Sequence, residues 1–292
     1  MEVPPPYGRH PGMRSKAIPA LLAWALAALL FGRSLAWLAT AAAVREQVSH
    51  AAIVLGFGLV FLLRDRPGGN PLALRFGRRA CGFYAAACLC AALAAALDQP
   101  LLMVAGLGLL AGSILLFVLG EDVLRPAIGF ALAFAGFTMI SILFPLADWP
   151  LRVAAGRSAA WFLSLLGSPG QLGFAGEPAR LILVHAGRPF EVASECNGFG
   201  MISGCLLLAL LLVFSRRLRV LDKLVVILLA PILGLVSNAV RILAIVLLAP
   251  AAGEHYLAMH EAVGIALFFG TLGFLWWLVA GLPERKPYIT LS

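Results

Sequence analysis

Charge is what this sequence has least of. Only 12% of its 292 residues are Asp, Glu, Lys or Arg, while 62% are hydrophobic; a water-soluble domain carries about 25% charged and about 45–50% apolar residues. So little charge cannot cover so much apolar surface in water, which excludes an ordinary soluble domain and makes a bilayer the natural solvent. Cysteine is few and poorly placed for a disulfide framework. There are five, none in a CxxC pair, and four fall inside apolar runs, so Cys81, Cys88 and Cys90 read as small core residues of a helix. No internal repeat and no separate soluble domain can be traced. The first apolar run follows a basic start, Arg9, Arg14 and Lys16, and is long enough to stay as an anchor rather than leave as a signal peptide. An excess of eight positive charges would suit nucleic acid in a soluble protein. In a membrane protein it is a topology signal, and no nucleic-acid partner is expected.

What the sequence has in plenty is long apolar stretches. Eight can be read, at about 17–43, 50–63, 80–97, 101–119, 127–146, 197–214, 224–249 and 260–281, which predicts an all-α polytopic helix bundle forming one integral membrane domain over 1–292. Basic residues then orient it. The segment RDRPGGNPLALRFGRR (64–79) carries five arginines and one aspartate, RRLRVLDK (216–223) carries four basic residues and one acidic one, and both the N-terminal segment 1–16 and the tail 282–292 are basic. All four fall on one side of the membrane if the chain crosses eight times, with both termini cytoplasmic.

The longest connection, 147–196, is then extracytoplasmic. WFLSLLG within it suits a short interfacial helix anchored by Trp149 and Trp161, and ARLILVHAGRPFEVAS reads as two short strands around a turn at Gly187. An outward loop of this length in a compact protein is usually functional.

Polar residues in the last three spans converge on that outer side. Cys196 lies at the entrance of span six, where the unpaired N–H groups of a helix N-terminus favour a thiolate; Gly198 and Gly200 allow another chain to approach closely. Arg241 stands about 12 Å inside span seven at 1.5 Å per residue. Burying it there costs about 2.5–3.5 kcal/mol on insertion scales, so it should face the bundle interior and a partner. Asn238, three residues earlier, shares its face and is placed to fix the guanidinium or to bind a substrate amide. His260 opens span eight, with Gly264 one turn below and with His255, Glu261 and His185 as nearby competitors. HEAVG is not HExxH, and the spacing of His255 and His260 does not place both on one helical face, so no metal site is expected; nothing calls for an organic cofactor. A thiol, an imidazole and a permanent cation are the parts that acyl transfer needs.

At these residues the sequence resembles the exosortase/archaeosortase family of multi-pass membrane cysteine transpeptidases. The family pattern is matched by Cys196-Asn197-Gly198, by Asn238-Ala-Val-Arg241 and by His260-Glu-Ala-Val-Gly264, in that order on the last three spans, and the resemblance extends over about 100–282. It implies substrates that are exported proteins ending in a short motif, commonly Pro-Glu-Pro, followed by a hydrophobic helix and a basic cluster. It also implies cleavage at the motif and transfer to a lipid or envelope acceptor at the bacterial inner membrane. By the same resemblance Cys196 is the nucleophile, His260 moves the proton, and Arg241 stabilises the thiolate or the oxyanion. Asn197 stands where many members have serine, which leaves the recognition motif open. Asp148, Glu177, Glu191 or Glu195 are placed to read a basic or polar part of a motif, and Arg180 or Arg188 an acidic one. Glu195 reads equally as an acid at a helix N-terminus. Two other classes stand beside this reading: a transporter in which Arg241 and His260 bind an anionic solute or relay protons, and a non-catalytic relative that holds tailed proteins.

Overall fold

The computed structural model describes residues 13–64, 76–176, 180–193 and 196–284. Among them each expected apolar segment coincides with a helix: α1 (Met13–Val44), α2 (Glu46–Arg64), α3 (Arg78–Leu97), α4 (Pro100–Leu119), α5 (Leu124–Leu165), α6 (Phe199–Ser215), α7 (Val220–Ala252) and α8 (Tyr256–Ala280). Five stretches are long and apolar enough to cross a membrane, the last of them, Val220–Ala280, containing both α7 and α8; α2 and α6 are shorter apolar helices. The basic N-terminal residues 1–12, most of the 64–79 segment, Glu177, Glu195 and the end of the basic tail lie outside the described residues.

The connection between α3 and α4 is a tight one. Asp98 closes α3 in the left-handed conformation, its N–H on the Ala94 carbonyl, and Pro100 opens α4, where a missing N–H removes no helical bond. Glycines then let backbones approach, the usual basis of helix association in lipid. A Cβ on Gly108 would sit 2.6 Å from the Ala131 carbonyl of α5. One on Gly234 of α7 would meet the backbone of Ile202 in α6 at 2.7 Å, and that crossing sets Asn238, one turn further along α7, beside the start of α6.

The segment 147–196 differs from expectation in how it begins. Rather than ending at the membrane surface, α5 runs on through Pro145 and Pro150 for 42 residues in all. At 1.5 Å per residue that is about 63 Å, against a hydrocarbon core of about 30 Å. Trp161 and its neighbours thus belong to the end of α5 and not to a separate interfacial helix. The predicted hairpin is present as β2 (Arg180–His185) and β3 (Arg188–Glu191), and β1 (Gln171–Ala175) adds an unforeseen third strand in the antiparallel order β1-β2-β3. Leu181, Leu183 and Val192 of this sheet region pack with Ala155, Ala159 and Leu163 of α5 and with Ile242 and Val246 of α7. The sheet is therefore seated on the bundle by its own apolar core, and Cys196 belongs to that core.

Candidate active site

Cys196 follows β3 and precedes the first turn of α6, with Gly198 as the N-cap at φ +81°. Two hydrogen bonds hold its backbone, and two more hold its neighbour Asn197. The Cys196 N–H donates to the Ala193 carbonyl at 3.0 Å. The Asn238 side chain donates from Nδ2 to the Cys196 carbonyl at 2.9 Å. Asn197, fully buried, accepts the Phe199 N–H at the start of α6 at 2.8 Å, while its Nδ2 donates to Asp148 of α5 at 2.7 Å. Asp148 is in turn gripped through both oxygens by Arg152, at 3.2 and 2.6 Å. This carboxylate is thus engaged in holding the cysteine loop.

So fixed, the thiol meets the imidazole: Cys196 Sγ is 3.6 Å from His260 Nε2. Cys196 is 7% exposed and Arg241 6%. Both line a cavity of about 1210 Å³, together with His260, Glu261 and Gly264 of α8, Glu46 and His50 of α2, and Arg188 to Glu191 of β3.

Two glycines key the three motifs together. A Cβ on Gly198 would lie 2.8 Å from Asn238 Nδ2, and a Cβ on Gly264 would lie 2.8 Å from Arg241 Nη2. The space beside each glycine is therefore filled by the polar side chain of another motif: Gly198 seats Asn238, and Gly264 seats Arg241. Asn238 is 1% exposed, and its Oδ1 has no hydrogen-bond partner among the described residues.

Other sequence candidates separate here. Arg188 and Glu191 line the cavity, and Glu191 also meets Arg180 at 3.4 Å. His185 is buried in β2 and His255 lies exposed in the short turn Gly253–His255 before α8; neither lines the cavity. Sequence reading missed Glu46 and His50. The signal available was two polar residues four apart at the start of an apolar helix, at the same end of the bundle as Cys196. Tyr256, also unforeseen, sits with its ring 6.1 Å from that of His260. Among the described residues no group of three or more His, Cys, Asp or Glu could hold a metal ion.

Fold and site together define a polytopic helical membrane protein that gathers a thiol, an imidazole and a guanidinium at one end of its bundle. A model of the transmembrane exosortase family matches residues 37–277, and the chain belongs to that family. Membership implies the role of a membrane transpeptidase or protease. No curated protein and no solved structure matches the chain.

Proposed function

We propose that the protein is a cysteine transpeptidase that cleaves the C-terminal sorting tail of exported proteins and transfers them to a lipid or envelope acceptor. The observation that carries this reading is the 3.6 Å approach of Cys196 Sγ to His260 Nε2 beside Arg241 in one large cavity. His260 takes the thiol proton, and the thiolate attacks the carbonyl carbon at the motif. Arg241 faces the negative charge that develops on the carbonyl oxygen. The C–N bond then breaks, the proton passes from His260 to the departing amine, and the exported protein remains as a thioester on Cys196.

Delivery of such a tail suits the bundle. An apolar cavity of about 390 Å³ lies between α2, α6 and α8, lined by Phe57, Phe61, Leu208, Leu212, Phe269 and Trp276 among others. It begins just beyond His50 and Phe268 along the two helices and offers the tail's hydrophobic helix a seat within the membrane. The motif then lies against β3, where Arg188 reads an acidic residue. In this reading the site faces the extracytoplasmic side of the bacterial inner membrane, with both termini cytoplasmic.

The test uses full-length protein in which Cys81, Cys88, Cys90 and Cys205 are replaced. A membrane-impermeant alkylating reagent is added from outside, and the rate of Cys196 labelling is followed from about pH 5 to 9, where an ordinary thiol titrates near 8.5. Labelling with a midpoint well below that value, and slowed by His260→Ala, is expected. A midpoint near the ordinary one and indifferent to His260 overturns the nucleophile, and solute transport surviving Cys196→Ala would select the transporter instead.

A further inference from the structure

One wall of the cavity has no part in the cleavage just described. Glu46 and His50 stand one turn apart on α2, with Glu46 Oε1 3.9 Å from His50 Nε2. The His50 ring is stacked on Phe268 of α8 with centroids 4.6 Å apart and an interplanar angle of 28°, which fixes an imidazole that would otherwise rotate. Both residues line the same cavity as Cys196 and His260. They also border a smaller cavity of about 10 Å³ together with Gly198, Asn238 and Arg241. That is room for about one water molecule, and the orphaned Oδ1 of Asn238 belongs to a residue on its wall. Two guanidiniums, Arg188 and Arg241, line the cavity, and Arg241 also borders the smaller one beside Glu46 and His50, whereas α2 brings only the carboxylate and the imidazole; the neighbouring Arg45 sits over the ring of Phe144. Glu191 and Glu261 add further carboxylates to the lining.

We propose that Glu46 and His50 are the acceptor side of this site, binding a primary amine and taking the proton that the amine must lose when it attacks the thioester. The inference rests on the reading of Cys196 as nucleophile. A carboxylate beside an imidazole suits an ammonium ion better than a neutral hydroxyl, because with the ammonium both partners of the hydrogen bond are charged. An amine of the α-amino type has an ordinary pKa of about 7.7–8.0, so it arrives charged and releases one proton to solvent as it becomes a nucleophile. Its nitrogen then bonds to the thioester carbon, and its next proton passes to the His50 nitrogen turned away from Glu46. The C–S bond breaks with its electron pair on sulfur, and the products are an amide, the Cys196 thiolate and an imidazolium at His50. Cleavage and transfer are in this way served by different histidines, His260 on α8 and His50 on α2.

Both half-reactions can be examined without the natural substrate. p-Nitrophenyl acetate is used to acetylate Cys196 in the full-length single-cysteine protein, and glycinamide is the amine probe. The measured quantity is the ratio of acetylglycinamide to acetate released per acetyl-Cys196 formed. The ratio is expected to fall by about 10²-fold in Glu46→Gln and in His50→Gln, the lower end of what a positioned base contributes. It should recover in part in Glu46→Asp and stay unchanged in His255→Gln, which alters a histidine outside the cavity. Equal ratios in wild type and variants, or no amide in the wild type at any glycinamide concentration, overturn the acceptor assignment and leave the nucleophile standing. Absence of acetyl-Cys196 overturns the nucleophile itself. Should loss of the ring stack keep His50→Gln from folding, Glu46→Gln decides alone, since the Glu46 side chain is 47% exposed and its removal leaves the packing intact.

Discussion

Gly264→Ala isolates what the position of Arg241 contributes. The added methyl carbon would lie 2.8 Å from Nη2 and 3.1 Å from both Cζ and Nε of Arg241, whereas an ordinary contact needs about 3.5–4.0 Å. The guanidinium must therefore move by somewhat under an ångström to about one ångström. Where the strain goes decides the phenotype. A backbone neighbour could not yield, and overpacking of that kind costs about 1–3 kcal/mol. Here the neighbour is the far end of a flexible side chain bordering a large cavity, so the fold adapts and stability changes by less than that range. Chemistry has no such slack. A displacement of about 1 Å at a reacting centre is worth up to about 10²-fold in rate, and loss of one oxyanion donor about 10²–10³-fold. The expected result is a Gly264→Ala protein whose thermal midpoint in detergent stays near wild type while the rate of Cys196 acetylation by p-nitrophenyl acetate falls by about 10–100-fold. Its alkylation by a small iodoacetamide, which develops no oxyanion, should change much less. Equal loss in both reactions would mean that Arg241 acts on the thiolate, and an unchanged acetylation rate would refute the guanidinium's role altogether.

Two further outcomes follow from the same geometry. Asp148→Asn removes the charge that Arg152 and Asn197 share; hydrogen bonds to a charged group are worth about 1.5–3 kcal/mol, so the thermal midpoint should drop, together with thiol reactivity, because Asn197 holds the loop of Cys196. A drop in neither would show that the loop is fixed by Asn238 alone. Gly273→Phe adds a ring where Gly273 borders the apolar cavity between α2, α6 and α8 and where a Cβ meets nothing within 4 Å. Crosslinking of a reporter fused to a motif, hydrophobic helix and basic cluster should be lost, while acetylation of Cys196 by the small ester persists. Crosslinking that survives would place the tail elsewhere.

The number and order of the helices were legible because each is a run of apolar residues bounded by charge or by proline and glycine. The β2–β3 hairpin was legible from its alternation around Gly187. The length of α5 was not. Two prolines, an aspartate and a tryptophan at 145–150 read as a stop, and what keeps the helix going is the apolar face of Ala155, Ala159 and Leu163, which has value only once the sheet lies on it. Glycine at Gly173 likewise disguised β1. Glu46 and His50 escaped notice for a related reason: α1 and α2 are separated by Arg45 alone, so no loop signalled that a helix had begun at Glu46. As for the site, motif spacing brought Cys196, Arg241 and His260 to one end of three consecutive spans. It could not reveal that Gly198 and Gly264 make room for Asn238 and Arg241, since a glycine's neighbour in space leaves no trace in its neighbours in sequence.

The seating of Cys196 has a temporal side. The residue stands before α6, but its carbonyl is gripped from α7 and its sulfur is met from α8. During synthesis the cysteine therefore reaches the membrane before either helix that completes its surroundings. Until α7 and α8 have folded back against α6, the thiol has neither imidazole nor guanidinium beside it. On the proposed mechanism, reactivity is thereby withheld from the nascent chain until its last two helices are in place.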